Sequence, residues 1–340
     1  MTRAGRPLIA LACAALSALV ASVVEVSGQT LSFAPVGTFA GPADQITVLG
    51  RHAYVAADYA FTIVDVSDLK APKVVGKYKF PEKIWGFSLR PPLAYVAADF
   101  FGLGILDLSD PTSPSLRGAV KTPGQAKGVA LVGSTALLTD HMSGVDFVDI
   151  TSATNPSALG SFFLDGYARD VASAGTMAYA VDSPTGLYVF DLSKPPDLSK
   201  TEPFEPVAAQ QSVTGSRVID VAPAPDASGV HLAIMTGGPA LQVYDVSNAR
   251  TPKKLASFTV PGGTQRAALR GSHAYVAAGA EGLQVVDLST PSNPRIVGSY
   301  KTPAPARDVA VSDSLVFIVM GKVATRYQGD GEVLVLRTAP

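Results

Sequence analysis

Short apolar runs separated by polar turn residues repeat along this chain, and six of them end in the same way. Each closes on an aspartate, with a hydroxyl residue two positions later. The aspartates are Asp65, Asp107, Asp149, Asp191, Asp245 and Asp287, at successive intervals of 42, 42, 42, 54 and 42 residues. A period near this length, filled with short Val, Ala, Leu and Tyr runs, is typical of β-propeller blades. The pattern therefore predicts an all-β propeller.

Most copies contain four strand-like runs, divided by Gly, Pro, Asn, Asp and Ser residues that favour turns. The two ends of the chain complete one further unit. Residues 307–336 supply three strands, and residues 35–39 match the fourth-strand phrase at 296–300. We therefore expect a seven-bladed propeller whose last blade joins one N-terminal strand to three C-terminal strands. This closure would remove the open sheet edges that promote aggregation.

The six repeated aspartates are interpreted as structural turn residues. In the segment from Asp107 to Pro111 a strand ends and a proline turn begins. A carboxylate at such a place can accept backbone N–H groups of the turn. Six copies spread around a ring cannot converge on one active site, which favours architecture over chemistry.

The first 28 residues have the order of a secretory signal. Arg3 and Arg6 precede an apolar stretch from Leu8 to Val24, and small residues follow up to Gly28. We expect cleavage after Gly28, which leaves residues 29–340 as a single exported propeller in the periplasm, on the cell surface or outside the cell. An uncleaved membrane anchor and lipidation of Cys13, the only cysteine, stay open as alternatives.

Composition narrows the function classes. The formal net charge is −1 and charged residues make up 16%, so there is no general electrostatic case for nucleic-acid or anionic-membrane binding. The four histidines show no metal-ligand spacing, and no nucleophile elbow or phosphate loop is present. We expect no cofactor and no metal, no membrane span after removal of the signal, and a monomer.

The repeat unit resembles the LVIVP repeat family. The matching residues are clearest in His273-Ala-Tyr-Val-Ala-Ala, in Gly282-Leu-Gln-Val-Val-Asp-Leu-Ser, and in Val297-Gly-Ser-Tyr-Lys-Thr-Pro. The likeness extends from about Val36 to Leu336. It implies a bacterial exported or surface β-propeller, and it offers no catalytic residues to carry over.

Propeller ligands usually sit at one mouth of the central channel. Alignment of the blades places one residue from the start of each inner strand there: Asp44, Trp85, Lys127, Arg169, Ile219, Gln265 and Arg307. The ends of the second strands face the same way, with Asp58, Asp99, Asp140 and Asp182 interpreted as equivalent and His141 following Asp140. Two explanations stay open, which are salt bridges across the mouth and capture of a ligand. Trp85 is either a stacking platform or a wedge between blades.

These observations favour a non-catalytic scaffold that binds a protein, a peptide or a cell-envelope glycan through the channel mouth. The rival is a propeller enzyme of the metal-dependent lactonase or lyase type that uses Asp58, Asp99, Asp140, His141 and Arg169. A purely structural surface protein is a third candidate. The long step between Asp191 and Asp245 holds loop insertions, which mark either a functional side or ordinary loop drift.

Overall fold

The computed structural model describes residues 30–141, 143–164, 166–183, 186–194, 196, 205–211, 217–223, 231–236, 238–321 and 331–339. For the strands at 217–223 and 231–236 only the backbone is described. The predicted signal segment with Cys13 lies outside the described residues, and so do the side chains of Ile219 and His231.

Six blades are each built from four strands that are consecutive in sequence. The strands are numbered in chain order, and the first strand, Ser32–Ala40, is β1. Blade I is β2 (Gln45–Leu49), β3 (His52–Ala57), β4 (Ala60–Asp65) and β5 (Lys73–Lys79). Blade II is β6 (Gly86–Arg90), β7 (Leu93–Ala98), β8 (Gly102–Asp107) and β9 (Ser115–Val120). Blade III is β10 (Ala126–Val132), β11 (Thr135–Asp140), β12 (Gly144–Asp149) and β13 (Ser157–Phe162).

The next three blades follow the same order. Blade IV is β14 (Tyr167–Ala174), β15 (Met177–Ser183), β16 (Gly186–Asp191) and β17 (Ala208–Gln211). Blade V is β18 (Arg217–Pro223), β19 (His231–Thr236), β20 (Ala240–Asp245) and β21 (Lys253–Thr259). Blade VI is β22 (Arg266–Arg270), β23 (His273–Ala277), β24 (Leu283–Asp287) and β25 (Arg295–Tyr300). All pairings inside these blades are antiparallel meanders.

A further four-stranded sheet is composite. It has the order β1-β28-β27-β26, with β26 (Ala306–Ser312), β27 (Leu315–Met320) and β28 (Glu332–Ala339) from the C-terminal part of the chain. β1 pairs antiparallel with β28 from Ser32 opposite Ala339 to Ala40 opposite Glu332. Counted as units continuous in sequence there are therefore six blades, and the expected number of seven holds only when this composite sheet, here called blade VII, is included.

The hydrophobic core is divided into layers between neighbouring blades. Among the residues that the structure describes, seven clusters of buried side chains each combine residues of two adjacent sheets, so the sheets follow one another around a ring. The cluster that joins blade VII to blade I contains Phe317 and Val319 together with Ala53 and Val55. Because both faces of a middle strand are covered, strands such as β7 are apolar almost throughout, whereas in the outer β5 only Gly76 is buried and the lysines are exposed.

Two faces of the ring follow from the strand directions. The mouth face carries the start of each innermost strand, the turns between second and third strands, and the connections from one blade to the next. The turn face carries the repeated aspartates.

Innermost strands of neighbouring blades are linked by hydrogen bonds from backbone to side chain. The Ile46 N–H donates to Asp308 at 2.9 Å, and the Phe87 N–H donates to Gln45 at 3.2 Å.

The role of β1 in closing the ring can be tested by deleting residues 29–40 from a chain that lacks the signal. Val36 and Phe39 of β1 pack against the core between blades VII and I, and burial of such side chains is worth about 1.5–3 kcal/mol each. We expect a lower melting temperature and concentration-dependent association, because β28 would become an exposed edge.

Two point variants separate the loss of packing from the loss of the strand. Phe39→Ala should lower the melting temperature, whereas Thr38→Ala, at an exposed position of the same strand, should leave it unchanged. An unaltered melting temperature and a monomeric elution profile for the deletion would show that β1 is dispensable.

Candidate functional site

The residues that begin the innermost strands occupy one equivalent position around the mouth. The backbone N–H groups of Asp44, Trp85 and Gln265 donate to the carbonyls of Ala56, Ala97 and Ala277, at 2.9, 3.0 and 2.9 Å. These bonds join the same two positions of the repeat in blades I, II and VI. The backbone is thus the same in these three blades while the side chains differ, which is the arrangement expected of a site added to a repeated fold.

Lys127, Arg169 and Arg307 reach the mouth through β-bulges. The register between the first and second strand shifts between Ala126 and Gly128, between Ala168 and Asp170, and between Ala306 and Asp308. Each cation is therefore the extra residue that the partner strand does not match. A bulge turns its side chain out of the ladder, and here it directs a positive charge toward the mouth.

Asp44 and Arg307 form an ion pair across the junction of blades VII and I. The Arg307 guanidinium donates to Asp44 Oδ1 at 2.6 Å, and both side chains are about a quarter exposed. For Asp44 and Arg307, the charges at the mouth are therefore explained by a salt bridge between them. Its position next to the composite sheet also links the two ends of the chain.

Trp85 belongs to a charged cluster between blades II and III. Its indole N–H donates to Asp99 at 2.8 Å, and the Gln125 amide donates to the other oxygen of Asp99 at 2.9 Å. The Lys127 ammonium lies 3.7 Å from Asp99 and 3.7 Å from the centre of the indole ring. Lys83 adds a second ammonium 4.6 Å from the ring centre. Trp85 is 38% exposed, so it is neither a buried wedge nor a bare platform.

The position of Lys127 has an electrostatic consequence. Burial lowers the pKa of Lys127, and the carboxylate of Asp99 opposes that effect. Asp99 accepts two neutral hydrogen bonds and also faces the ammonium, which leaves it little capacity for an external ligand. A cation–π contact of this kind is worth about 0.5–2 kcal/mol and fixes the indole in place.

The four aspartates that were expected to be equivalent fall into two different positions. Asp58 and Asp99 occupy the first residue of a turn with φ of 47° and 41°, and Gly279 has φ of 52° at the same place in blade VI. Asp140 and Asp182 instead lie within β11 and β15, opposite Ala126 and Ala168. A shift by one residue reverses the direction of a side chain in a strand. The expectation of one equivalent set is therefore wrong, and His141 is the residue that corresponds to Asp99.

Asp140 and Asp182 hold the connections between blades. The N–H of Gly124 donates to Asp140 at 2.7 Å, and the N–H of Gly166 donates to Asp182 at 2.8 Å. Both carboxylates are fully buried. A Cβ atom at position 124 would overlap the carboxylate of Asp140, which explains the glycine there. These two aspartates thus serve the scaffold beneath the mouth.

His141 lies between the two bulged cations. Its ring stacks on Tyr167, with centroids 4.6 Å apart and planes inclined by 18°. Burial lowers the pKa of His141, and the nearby charges of Lys127 and Arg169 lower it further. The imidazole is therefore neutral at neutral pH, and it acts as an aromatic and hydrogen-bonding surface more than as a charge.

Asp146 is a residue that the sequence reasoning missed. It lies on β12, is only 3% exposed, and accepts a hydrogen bond from the Ser161 hydroxyl. Burial raises its pKa from 3.8 to about 7, with a further contribution from the facing carboxyl group of Asp140. Oδ2 of Asp146 is buried without a hydrogen-bond donor among the described residues, and the carboxyl group of Asp140 faces Asp146. The signal was available as an acidic residue inside the apolar run Gly144-Val-Asp-Phe-Val.

The six repeated aspartates lie on the opposite face, at the ends of the third strands. In each, Oδ1 accepts the N–H of the hydroxyl residue two positions later, at 2.8–2.9 Å; the residues are Asp65, Asp107, Asp149, Asp191, Asp245 and Asp287. Hydrogen bonds from the side chain and backbone of Thr151 hold the pKa of Asp149 below its ordinary value. These bonds close local turns and point to no ligand.

The mouth combines charge, hydrogen-bonding groups and aromatic rings without a convergent catalytic set. The described residues include no group of three or more His, Cys, Asp or Glu side chains placed to hold a metal ion. Asp99 is engaged by three neighbours, and Asp140 is buried below the surface. The arrangement can present a shaped polar surface to a partner.

The family comparison agrees with the repeat pattern. The model described as "LVIVD repeat" matches at four places, residues 40–79, 93–122, 165–202 and 261–302. This is the same repeat family that was named above with the spelling LVIVP. No curated protein matches the sequence.

Solved structures share the fold at low sequence identity. The β-propeller domain of Cps50 (Swd1) from Myceliophteria thermophila is similar with a TM-score of 0.70 and 12% identity, over 91% of this chain and 100% of that one. The WD40 domain of Pan2 from Neurospora crassa gives 0.66 and 11% identity, over 91% and 96%. BamB from Moraxella catarrhalis gives 0.56 and 12% identity, over 90% and 98%. Identities this low support the fold alone.

Asp146 should make the free energy of unfolding depend on pH. Its pKa in the folded state, about 7, exceeds the ordinary value of 3.8. Between these two pH values the folded protein retains a proton that the unfolded chain has released, so stability should fall as pH rises from about 4 to 7 and then level off. Each tenfold change in proton affinity is about 1.4 kcal/mol, so the full effect is on the order of 4 kcal/mol.

The substitution Asp146→Asn tests this dependence, because its amide can donate to Asp140 and still accept from Ser161. We expect the variant to be more stable than the parent at pH 7.5 and to show a flatter melting profile between pH 5 and 8. Asp313→Asn is the control, since Asp313 is 95% exposed and its left-handed backbone, with φ of 50°, suits asparagine equally. Parallel profiles for the parent and Asp146→Asn would contradict the raised pKa.

Proposed function

We propose that this chain, a β-propeller of LVIVD repeats, is exported and acts as a non-catalytic binding scaffold whose mouth face takes a partner. One observation carries the proposal. Blades I, II and VI form the same backbone bond at the mouth, while the side chains at that position change from Asp44 to Trp85 to Gln265. Functional surfaces are commonly grafted on constant frameworks in this way.

The bulged cations support the same proposal. Lys127, Arg169 and Arg307 each leave the regular ladder at the mouth, and bulges next to functional surfaces commonly re-aim a side chain. The turn face, in contrast, repeats one local hydrogen-bonding motif, and its carboxylates are used inside their own turns. The two faces therefore differ in chemical variety, which favours the mouth as the binding side.

The export part of the proposal depends on the sequence of the first 28 residues. Among the described residues, no helix combines the length and the apolar character needed to cross a lipid bilayer. The order of Arg3 and Arg6, an apolar stretch and small residues supports a secretory signal.

The mass of the protein isolated from its native cells should correspond to a chain that begins at Gln29. Mass spectrometry of the intact protein makes this measurement directly. A mass that includes residues 1–28, or a lipid on Cys13, would contradict cleavage after Gly28. It would indicate instead that the protein is anchored to the membrane.

Photo-crosslinking in native cells tests which face binds. A crosslinking amino acid at Gln265 or Phe100 reports on the mouth face, and one at Leu49 or Asp313 reports on the turn face; all four positions are exposed. We expect discrete crosslinked products from the mouth positions only, reduced by an excess of the purified propeller.

Equal crosslinking from both faces, or none from the mouth, would contradict the proposal. The alternative of a propeller enzyme is tested by an activity assay on the purified protein. Turnover of a lactone or of an acidic polysaccharide by pure protein, lost on Arg169→Ala, would replace the scaffold by a catalyst.

A further inference from the structure

Exposed aromatic side chains are concentrated on one part of the mouth face. Five described aromatic residues are more than a third exposed: Tyr59, Trp85, Phe100, Phe163 and Tyr167, at 48%, 38%, 51%, 76% and 52%. The other large exposed apolar residues are aliphatic and lie on outer strands or on the turn face. Phe163 has the largest exposed fraction of the five, with about three quarters of its surface accessible to water.

The five rings follow one continuous arc from blade I to blade IV. Tyr59 and Phe100 lie in turns between second and third strands, Trp85 and Tyr167 begin the inner side of blades II and IV, and Phe163 lies between blades III and IV. Backbone and side-chain contacts connect these segments. The Ile84 N–H donates to the carbonyl of Asp58 at 2.6 Å, and the His141 N–H donates to that of Gln125 at 3.0 Å. We call this surface the aromatic arc.

Positive charge accompanies the arc. Lys79, Lys121 and Arg169 are exposed and form no salt bridge with another described residue. The corresponding lysine of blade VI, Lys301, is instead paired with Glu281 at 3.0 Å. Among the described residues, Lys79 and Lys121 thus have no counterpart of the Glu281 that pairs with the equivalent Lys301.

Two carboxylates of the arc are held by groups of the protein itself. Asp99 is engaged by Trp85, Gln125 and Lys127, while Asp140 is buried against the N–H of Gly124. Asp58 and Glu82 are partly exposed on the same part of the mouth, but the cations there outnumber them: Lys79, Lys83, Lys121, Lys127 and Arg169. A surface of this kind is complementary to an anionic partner.

The contacts that the aromatic rings already make favour a protein partner over a sugar. A sugar stacks on an open aromatic face, but two ammonium groups already lie over Trp85, and Tyr167 is stacked on His141. Phe163 and Phe100 lie outside the strands and are 76% and 51% exposed, so their rings are accessible to pockets of a protein surface. Aromatic residues with arginine are also the residues that contribute most to protein–protein affinity.

We propose that the aromatic arc binds an acidic peptide segment of a protein partner, with Lys79, Lys121 and Arg169 facing its carboxylates and Phe163 and Phe100 inserted between its side chains. The inference rests on the proposed function of the mouth face and specifies the chemistry of the occupant. It predicts binding that weakens with added salt, because exposed ion pairs are screened.

Two synthetic peptide pools of random 15-residue sequences test the proposal by fluorescence anisotropy with the full exported protein. One pool contains four glutamates and two leucines at fixed places, and the other has glutamine in place of each glutamate. We expect at least tenfold tighter binding of the glutamate pool, and at least a tenfold loss in the double variant Lys121→Gln with Arg169→Gln and in Phe163→Ser. The control variants Lys254→Gln and Leu116→Ser change exposed side chains on outer strands and should bind like the parent.

Equal affinity for the two pools, or equal losses in the control variants, would overturn the acidic-peptide inference. Polygalacturonate serves as the acidic glycan probe, and its binding without binding of the glutamate pool would also overturn it. Neither of these results contradicts the proposed function, as long as the mouth positions give crosslinked products. The absence of mouth crosslinks, in contrast, removes the proposed function itself.

Discussion

The structure depends on the mutual burial of neighbouring sheets. A blade such as β6 to β9 has apolar residues on both faces, so neither face is satisfied until a sheet lies on each side of it. A linear stack would leave two such faces in water, and only a ring leaves none. The cluster that contains Phe317 and Val319 together with Ala53 and Val55 closes the ring, since it joins the C-terminal strands to blade I.

The repeat made most of this architecture predictable, since the spacing of the aspartates sets the length of a blade and the match between residues 35–39 and 296–300 indicates the composite sheet. The site was harder to predict because it depends on single-residue register. Ala53 and Asp58 are five positions apart, whereas Ala136 and Asp140 are four apart, and that difference moves Asp140 from the turn into the buried strand. Counting from the shared alanine would have revealed the difference.

Other features could not be derived from sequence because they depend on tertiary distances. The position of Lys127 over Trp85 joins the starts of two different blades, and nothing in either segment specifies it. The shared environment of Asp140 and Asp146 likewise arises from two strands that pair only in the fold. The junction of blades II and III therefore combines an apolar cluster with buried carboxyl groups, whereas the junction of blades I and II contains the rings of Phe61, Phe80 and Phe87.

The bulges at Lys127, Arg169 and Arg307 have a consequence for how such a protein can change over generations. A residue that has no partner in the ladder can be replaced without altering the pairing of the strands around it. Selection can therefore alter the chemistry of the mouth one blade at a time while the core stays intact. The same scaffold could acquire new partners by substitution at a handful of unpaired positions, with no need to evolve a new fold.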